Sequence, residues 1–246
     1  RSALELQLER VRAAVRVKRW VVATTRNPGD DALAEACLRW GVDCFRGSDE
    51  DVFDRFYQAA RHYGPPRAVV RLTGDCPLAY AGMVDRVAEE REKTGADYAS
   101  NVHPPTFPHG LDVEVFGFPA LERAWQEARF PSEREHVTPF IHQQPDRYRI
   151  GHYKNTEDLS HLRWTVDEQE DFNLINKIYE ELYPVKPNFR IADILNLLHQ
   201  RPEWLTINKQ FERNEGFIKS LHEDRQAETM KHLNLEKSIA LQEHAK

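Results

Sequence analysis

Cysteine is scarce in this 246-residue chain: the three present, Cys37, Cys44 and Cys76, are odd in number and lack any CxxC spacing. Such a set suggests neither a disulfide framework nor a zinc site, and a reducing compartment, the cytoplasm, fits it best. No apolar run approaches the roughly 20 residues that a membrane helix needs, and nothing at the start resembles a secretory signal. A positive surplus is missing too. The formal net charge of −6 argues against a nucleic-acid partner, because phosphate-backbone binding relies on Lys and Arg gathered on one face. The scattered histidines, including His62, His142, His161 and His199, form no HxxxH or His/Cys cluster and read as surface or ordinary structural positions.

What is there points to one sizeable core. About 40% of positions are apolar and 30% charged, which suits a single α/β domain with an appendage. From Ser2 to Arg16 the chain reads as an amphipathic helix, with Leu4, Leu8, Val11 and Val15 at helical spacing and Ser2 with Glu5 as a capping box. Strand-like runs at 20–25, 42–45, 68–73 and 97–100 alternate with helical stretches at 31–40, 49–63 and 81–94. That alternation predicts a largely parallel sheet with helices on both faces. The segment 101–110 is a proline-rich, rigid loop, and 111–118 (LDVEVFGF) alternates as a strand. A helix is expected over 119–129, strands over 147–153 and 162–166, and helices near 170–182 and 191–200. Past Asn208 the composition shifts to charge, giving a catalytic unit over 1–208 and a peripheral helical tail over 209–246.

In an open parallel sheet, ligands bind beyond the carboxyl ends of the strands. Asp75 and Asp167 each follow a hydrophobic strand, so both are expected in one crevice, as a hard-oxygen site suited to Mg²⁺ bridging substrate phosphates. The alternative for each is an ordinary helix cap. Cys76, beside Asp75, has no histidine base in its sequence context, which disfavours a nucleophilic cysteine.

The segments VVATT, FRGSDEDVFDRF, VVRLTGDCPL, ADYASN, FPHGLDVEVF, PSEREHVTPFI and DLSHLRWTVDEQEDF resemble, in order, the cytidylyltransferases of spore coat polysaccharide biosynthesis. These are relatives of the synthetases that make CMP-3-deoxy-manno-octulosonate and CMP-sialic acid. The resemblance runs from Ser2 to Asn208 and rests most on GLDVEVF, SEREHVTP and HLRWTVDEQEDF. It implies a Rossmann-like nucleotidyltransferase sheet, CTP as donor, an acidic 2-keto sugar as acceptor, pyrophosphate as leaving group, Mg²⁺ as cofactor, and a homodimer. On that resemblance Asp75 is the metal-binding aspartate of the GDxPL loop, and Asp167 is the second, in VDxxxDF. Thr24 and Gly74 fall on the nucleotide side. Family members begin with a strand and an ARxGSxRLPGK-type loop around the CTP phosphates, and this sequence enters the pattern just after it. A triphosphate carries about four negative charges and needs such donors, so the chain by itself is expected to be inactive.

The supporting residues each have two readings. Arg46, Gly47 and Ser48 suit contact with ribose or base, or form a plain turn. Arg71, inside an apolar strand, would bind a phosphate or a sugar carboxylate, or neutralise Asp75. His109, Asp112 and Glu114 resemble the family's sugar-binding strand, although an exposed sheet face would look the same. In SEREHVTPF, Ser132 and Glu135 read as a capping box, leaving Arg134 and His136 for an acidic sugar. Arg163, Thr165 and Asp167 share one face and Trp164 with Val166 the other, so Arg163 faces the metal site or forms a structural ion pair. Two other functions fit the same pattern. One is a glycosyltransferase using a nucleotide-sugar donor, and the other a non-catalytic partner that lost the phosphate loop.

Overall fold

The structure is a computed structural model and describes residues 1–213, 216–221 and 223–226. Ser2 caps the first helix, α1 (Ala3–Val11), by accepting the Glu5 N–H at 3.2 Å. The apolar periodicity extends further, but the helix stops because the Asp85 carboxylate takes the N–H groups of Val15 and Arg16, at 3.2 and 3.0 Å, and turns the chain. There follow β1 (Val21–Thr25), α2 (Asp31–Trp40), β2 (Asp43–Gly47), α3 (Val52–His62), β3 (Ala68–Arg71), α4 (Ala81–Thr94) and β4 (Tyr98–Ser100). The second half holds β5 (Glu114–Gly117), α5 (Phe118–Glu127), α6 (Pro131–His136), α7 (Pro139–His142), β6 (Ile150–His152), α8 (Gln169–Leu182) and α9 (Ile191–Gln200). Among the described residues, no helix is long and apolar enough to cross a membrane.

The described strands fall into two sheets. β1 and β2 pair in parallel, with Val21 opposite Asp43 and Thr25 opposite Gly47. The other sheet has the order β3-β5-β4-β6; β5 is antiparallel to both neighbours and β6 parallel to β4, so β5 alone runs against the rest. Side chains alternate across this sheet and divide its core. Tyr98 and Phe116 pack on one side with Phe53 and Tyr57 of α3 and Leu121 of α5. Ala99 and Val115 pack on the other with Met83, Val84 and Val87 of α4. Helices thus cover both faces of the sheet, the Rossmann-like arrangement that the alternation predicts. A third cluster, around the fully buried Trp164, joins α8 and α9 to Leu78 and Leu111.

Two expected strands are altered by side-chain competition. The run 111–118 yields only Glu114–Gly117, because Asn101 clamps its start: Asn101 Nδ2 donates to the Leu111 carbonyl at 2.7 Å, and the Val113 N–H donates to Asn101 Oδ1 at 2.8 Å. The run 162–166 is no strand. It makes one parallel bridge, His109 to Arg163, and two of its N–H groups serve two different loops. The Trp164 N–H donates to the His109 carbonyl, at 2.6 Å, and the Val166 N–H to that of Asp75, at 2.9 Å. Gly110 permits this lacing. At φ +100, a Cβ there would lie 2.4 Å from the Trp164 carbonyl carbon, which no L side chain accommodates.

The tail is not peripheral as far as it is described. Its helix, at 216–221 and 223–226, packs on α6, where the Ser132 N–H donates to Asp224 Oδ1 at 3.1 Å. The remainder of the expected tail, 227–246, lies outside the described residues.

Candidate active site

A cavity of about 470 Å³ opens where these loops converge. It is lined by Arg71, Asp75, His109, Asp112, Glu114, His136, Arg163 and Asp167, eight residues marked by sequence that four separate stretches of chain supply. Thr73, His103, Thr138, His142, Glu168 and Phe217 line it as well.

The two aspartates meet because their loops are stitched together. Besides the Val166 bond, Thr165 Oγ1 donates to the Asp75 carbonyl at 3.3 Å. On the far side, Gln7 of α1 reaches the Asp75 loop, its Nε2 donating to the carbonyls of Thr73 at 2.7 Å and Cys76 at 2.9 Å. Thr73 Oγ1 donates to the Asp75 carboxylate. Burial raises the Asp167 carboxyl above the usual range, and the adjacent Asp75 carboxylate raises it further. A like-charged, partly buried pair of this kind is what a divalent cation relieves, so the residues fit Mg²⁺. Among the described residues, no three His, Cys, Asp or Glu side chains are arranged to hold an ion on their own. Asp75 and Asp167 would be the two residues to hold it, and an ion with so few protein ligands usually keeps waters.

Asp171 holds this end in place, and the sequence reading gave it no role. It is fully buried and accepts from Arg163 Nε at 2.9 Å and Nη2 at 2.8 Å, from Asn208 Nδ2 at 2.8 Å, and from the N–H groups of Asp167 and Glu168 at 3.2 and 3.1 Å. Burial would raise its carboxyl, but these donors prevail and hold it below the usual range. Arg163 in turn reaches Asp167, at 2.8 Å. A carboxylate at the first turn of a helix, here α8, also suits the helix dipole.

On the opposite wall the sheet register decides the pairing. Arg71 stands across from Glu114 in β3 and β5 and donates to it at 2.6 Å, while the Tyr98 hydroxyl donates to the other Glu114 oxygen at 2.6 Å. Asp112 accepts from Arg213 at 2.7 Å; burial raises its carboxyl to about 6 even though Arg213 pulls it down. His109 lies 3.8 Å from Asp112 and is pushed down to about 4 by burial, with repulsion from Arg213 and Arg163. His109 Nδ1 is buried without a hydrogen-bond partner. His142, expected as a surface or structural residue, instead stacks 3.9 Å from His103 in the cavity wall. Burial, reinforced by His103, lowers His142 to about 4. Burial pushes the Cys76 thiol well up, so it holds no thiolate for nucleophilic work.

The remaining sequence-marked residues lie outside this cavity's wall. Thr24 donates to Asp30 at 2.7 Å. The Arg46 guanidinium is engaged by the carbonyls of Thr25 and Asn27 and by Asp31, at 2.8, 2.7 and 2.6 Å, so it braces the β1–α2 turn. Gly47 is required sterically, since a Cβ would lie 2.8 Å from Arg55 Cγ. Ser48 Oγ accepts the Asp51 N–H at 3.1 Å, and Gly74 is exposed on its turn. Arg134 is engaged in a forked pair with Asp51, its Nη2 at 2.5 Å and Nε at 3.0 Å, and donates to the Trp125 carbonyl at 2.8 Å. It borders a separate, open surface hollow. Ser132 is not the cap expected of it. It sits inside α6, and Glu133 Oε2 accepts the N–H groups of Arg129 and Phe130 at 2.8 and 3.0 Å instead.

Comparisons with known proteins identify the family. The cytidylyltransferase family profile matches residues 4–237. An uncharacterised protein of Methanocaldococcus jannaschii is 36% identical over 210 residues, 85% of this chain and 84% of that one. The spore coat polysaccharide biosynthesis protein SpsF of Bacillus subtilis is 29% identical over 194 residues, 76% of this chain and 77% of that one. Among solved structures, a cytidylyltransferase from Leptospira borgpetersenii superposes with a TM-score of 0.79 at 28% identity, covering 86% of this chain and 88% of that one. These matches show that the chain belongs to the cytidylyltransferase family and is a nucleotidyltransferase.

Proposed function

We propose that this protein transfers CMP from CTP to an acidic 2-keto sugar, with Mg²⁺ as cofactor, in the making of a surface polysaccharide or glycoprotein. The observation that carries this reading is the composition of one cavity: two adjoining aspartates at one end, and two arginines with four histidines around the rest. The likeness to a spore coat polysaccharide biosynthesis protein supports the pathway class.

In this reaction the anomeric hydroxyl of the acceptor attacks the α-phosphorus of CTP. A new P–O bond forms, the bridge between the α and β phosphorus atoms breaks, and pyrophosphate leaves with the bonding electrons. Asp75 and Asp167 would hold the Mg²⁺. When bound there, the ion supplies positive charge to the phosphoryl oxygens and acidifies a neighbouring hydroxyl. Arg163, fixed by the buried Asp171, presents its guanidinium beside Asp167 without freedom to reorient, which is preorganised charge of the kind that lowers a phosphoryl-transfer barrier. Arg71 commits one nitrogen to Glu114 and keeps other N–H donors for an anionic group. Glu114 and Asp112 offer acceptors for sugar hydroxyls, and neutral His109 and His142 offer a donor or acceptor without adding charge.

The test is to incubate the full-length protein with CTP, Mg²⁺ and a panel of sugars, measuring pyrophosphate and identifying the CMP-sugar by mass spectrometry. Product with acidic 2-keto sugars supports the reading. Product only with neutral or phosphorylated sugars, or sugar transfer from a preformed nucleotide sugar instead, overturns it.

A further inference from the structure

The described part of the tail touches three cavity residues that come from three different segments. The Glu212 carbonyl accepts from Arg163 Nη1 at 2.9 Å. Arg213 donates to Asp112 at 2.7 Å and to the Phe107 carbonyl at 3.2 Å, two points on the segment between β4 and β5. In the tail helix, Ser220 Oγ donates to Glu135 at 2.7 Å and lies within hydrogen-bond distance, 3.0 Å, of His136 Nε2. Phe217 meets the His136 ring edge-on, at 5.1 Å between centroids, and its ring forms part of the cavity wall together with Gly216.

We propose that this segment is the acceptor-reading wall of the site, with Phe217 as the specificity-determining side chain and Arg213 and Ser220 as positioning residues for Asp112 and His136. The inference rests on the cytidylyl-transfer reading above and assigns a role to a part of the chain that lies beyond the sequence signatures.

Three observations favour the acceptor over CTP as what this wall reads. Phosphate binding calls for cations, whereas the described tail-helix residues that line the cavity, Gly216 and Phe217, carry none. An aromatic face suits the C–H surface of a sugar ring, and its edge contact with His136 fixes its orientation. The hydrogen-bonding groups that the tail contacts, Asp112 and His136, suit hydroxyl recognition, and each is engaged by a tail side chain besides a neighbour on its own segment, His109 at 3.8 Å and Glu135 at 3.6 Å respectively. Phe217 is only partly buried where it stands, so its ring is available to a ligand rather than consumed in the core.

The experiment uses the full-length protein and compares wild type with Phe217→Ala, Phe217→Tyr and Arg213→Gln, measuring KM separately for CTP and for each acceptor that wild type accepts. The expected result for Phe217→Ala is an acceptor KM raised about tenfold, the loss of one good aromatic contact, with the CTP KM unchanged. Phe217→Tyr restores it, and Arg213→Gln raises the acceptor KM in the same selective way. If both KM values stay at wild-type levels, or if they rise together, the assignment of the tail is overturned while cytidylyl transfer stands. A wild type that releases no pyrophosphate with any acceptor overturns both. Should Phe217→Ala not fold, the Tyr and Gln variants still decide the matter through the same KM split.

Discussion

The N–H of Val166 donates to the carbonyl of Asp75 at 2.9 Å, across a separation of ninety-one positions, and this one backbone bond aligns two loops so that their carboxylates adjoin. Asp75→Asn and Asp167→Asn are each expected to lower kcat by about two to four orders of magnitude, the range that charge stabilisation at a phosphoryl group supplies. Added Mg²⁺ raises the Tm of wild type but not of Asp167→Asn, and EDTA abolishes pyrophosphate release. Thermal melts with and without Mg²⁺, beside the rate assay, check all three.

Gln7 carries no chemistry, yet it holds the Asp75 loop from behind. Gln7→Leu leaves the Thr73 and Cys76 carbonyls without their donor and should cost about 2 kcal/mol or more. Urea unfolding gives the stability. A fall in kcat beyond what the unfolded fraction explains shows that the loop has loosened.

Gly110→Ala forces a side chain into the Trp164 backbone at a positive φ. Loss of several kcal/mol is expected from strain and displacement together, about 2 to 4 in all. Near-ultraviolet circular dichroism of the Trp164 region reports it, and a variant with wild-type Tm and activity would contradict the lacing described above.

Acid stability turns on opposing groups in one cavity. His109 and His142 have folded values near 4 against an ordinary 6.5, so the unfolded chain binds more protons between these limits and stability falls as pH drops through them. Asp112, near 6 against an ordinary 3.8, works the other way: the folded state takes up its proton first, so stability rises as pH drops from about 6 to 4. His142→Gln should flatten the acid loss of Tm between pH 6.5 and 4, and Asp112→Asn should steepen it. Melts at half-unit pH steps separate the two slopes, and equal slopes in all three proteins would refute the assignment.

Much of the fold was legible along the chain. Helices α2, α4 and α9 occupy the expected residues, because each has an amphipathic stripe and α2 and α4 end in a glycine that takes the left-handed conformation, Gly41 and Gly95. Strand 162–166 was misread because its alternation is real, burying Trp164 and presenting Arg163, while its hydrogen bonds go to loops. Alternation reports which way side chains point and says nothing of who pairs with the backbone. Over its described part the tail is helical as expected but not peripheral: its charged residues look like a solvated surface, whereas Arg213 and Asp224 have partners 101 and 92 positions away.

By itself the sequence determined the residue types at the site and their order, since aspartates that close hydrophobic strands and glycines at tight turns are local facts. The tertiary structure alone decided which of them work together. It put Asp75 beside Asp167, tied Arg163 to the buried Asp171, set His103 against His142, and turned Arg46 and Arg134 toward structural partners instead of the cavity. The physical reason is that a charged side chain is committed by whichever partner lies within about 3 Å of it in the folded chain, and no local pattern encodes that neighbour.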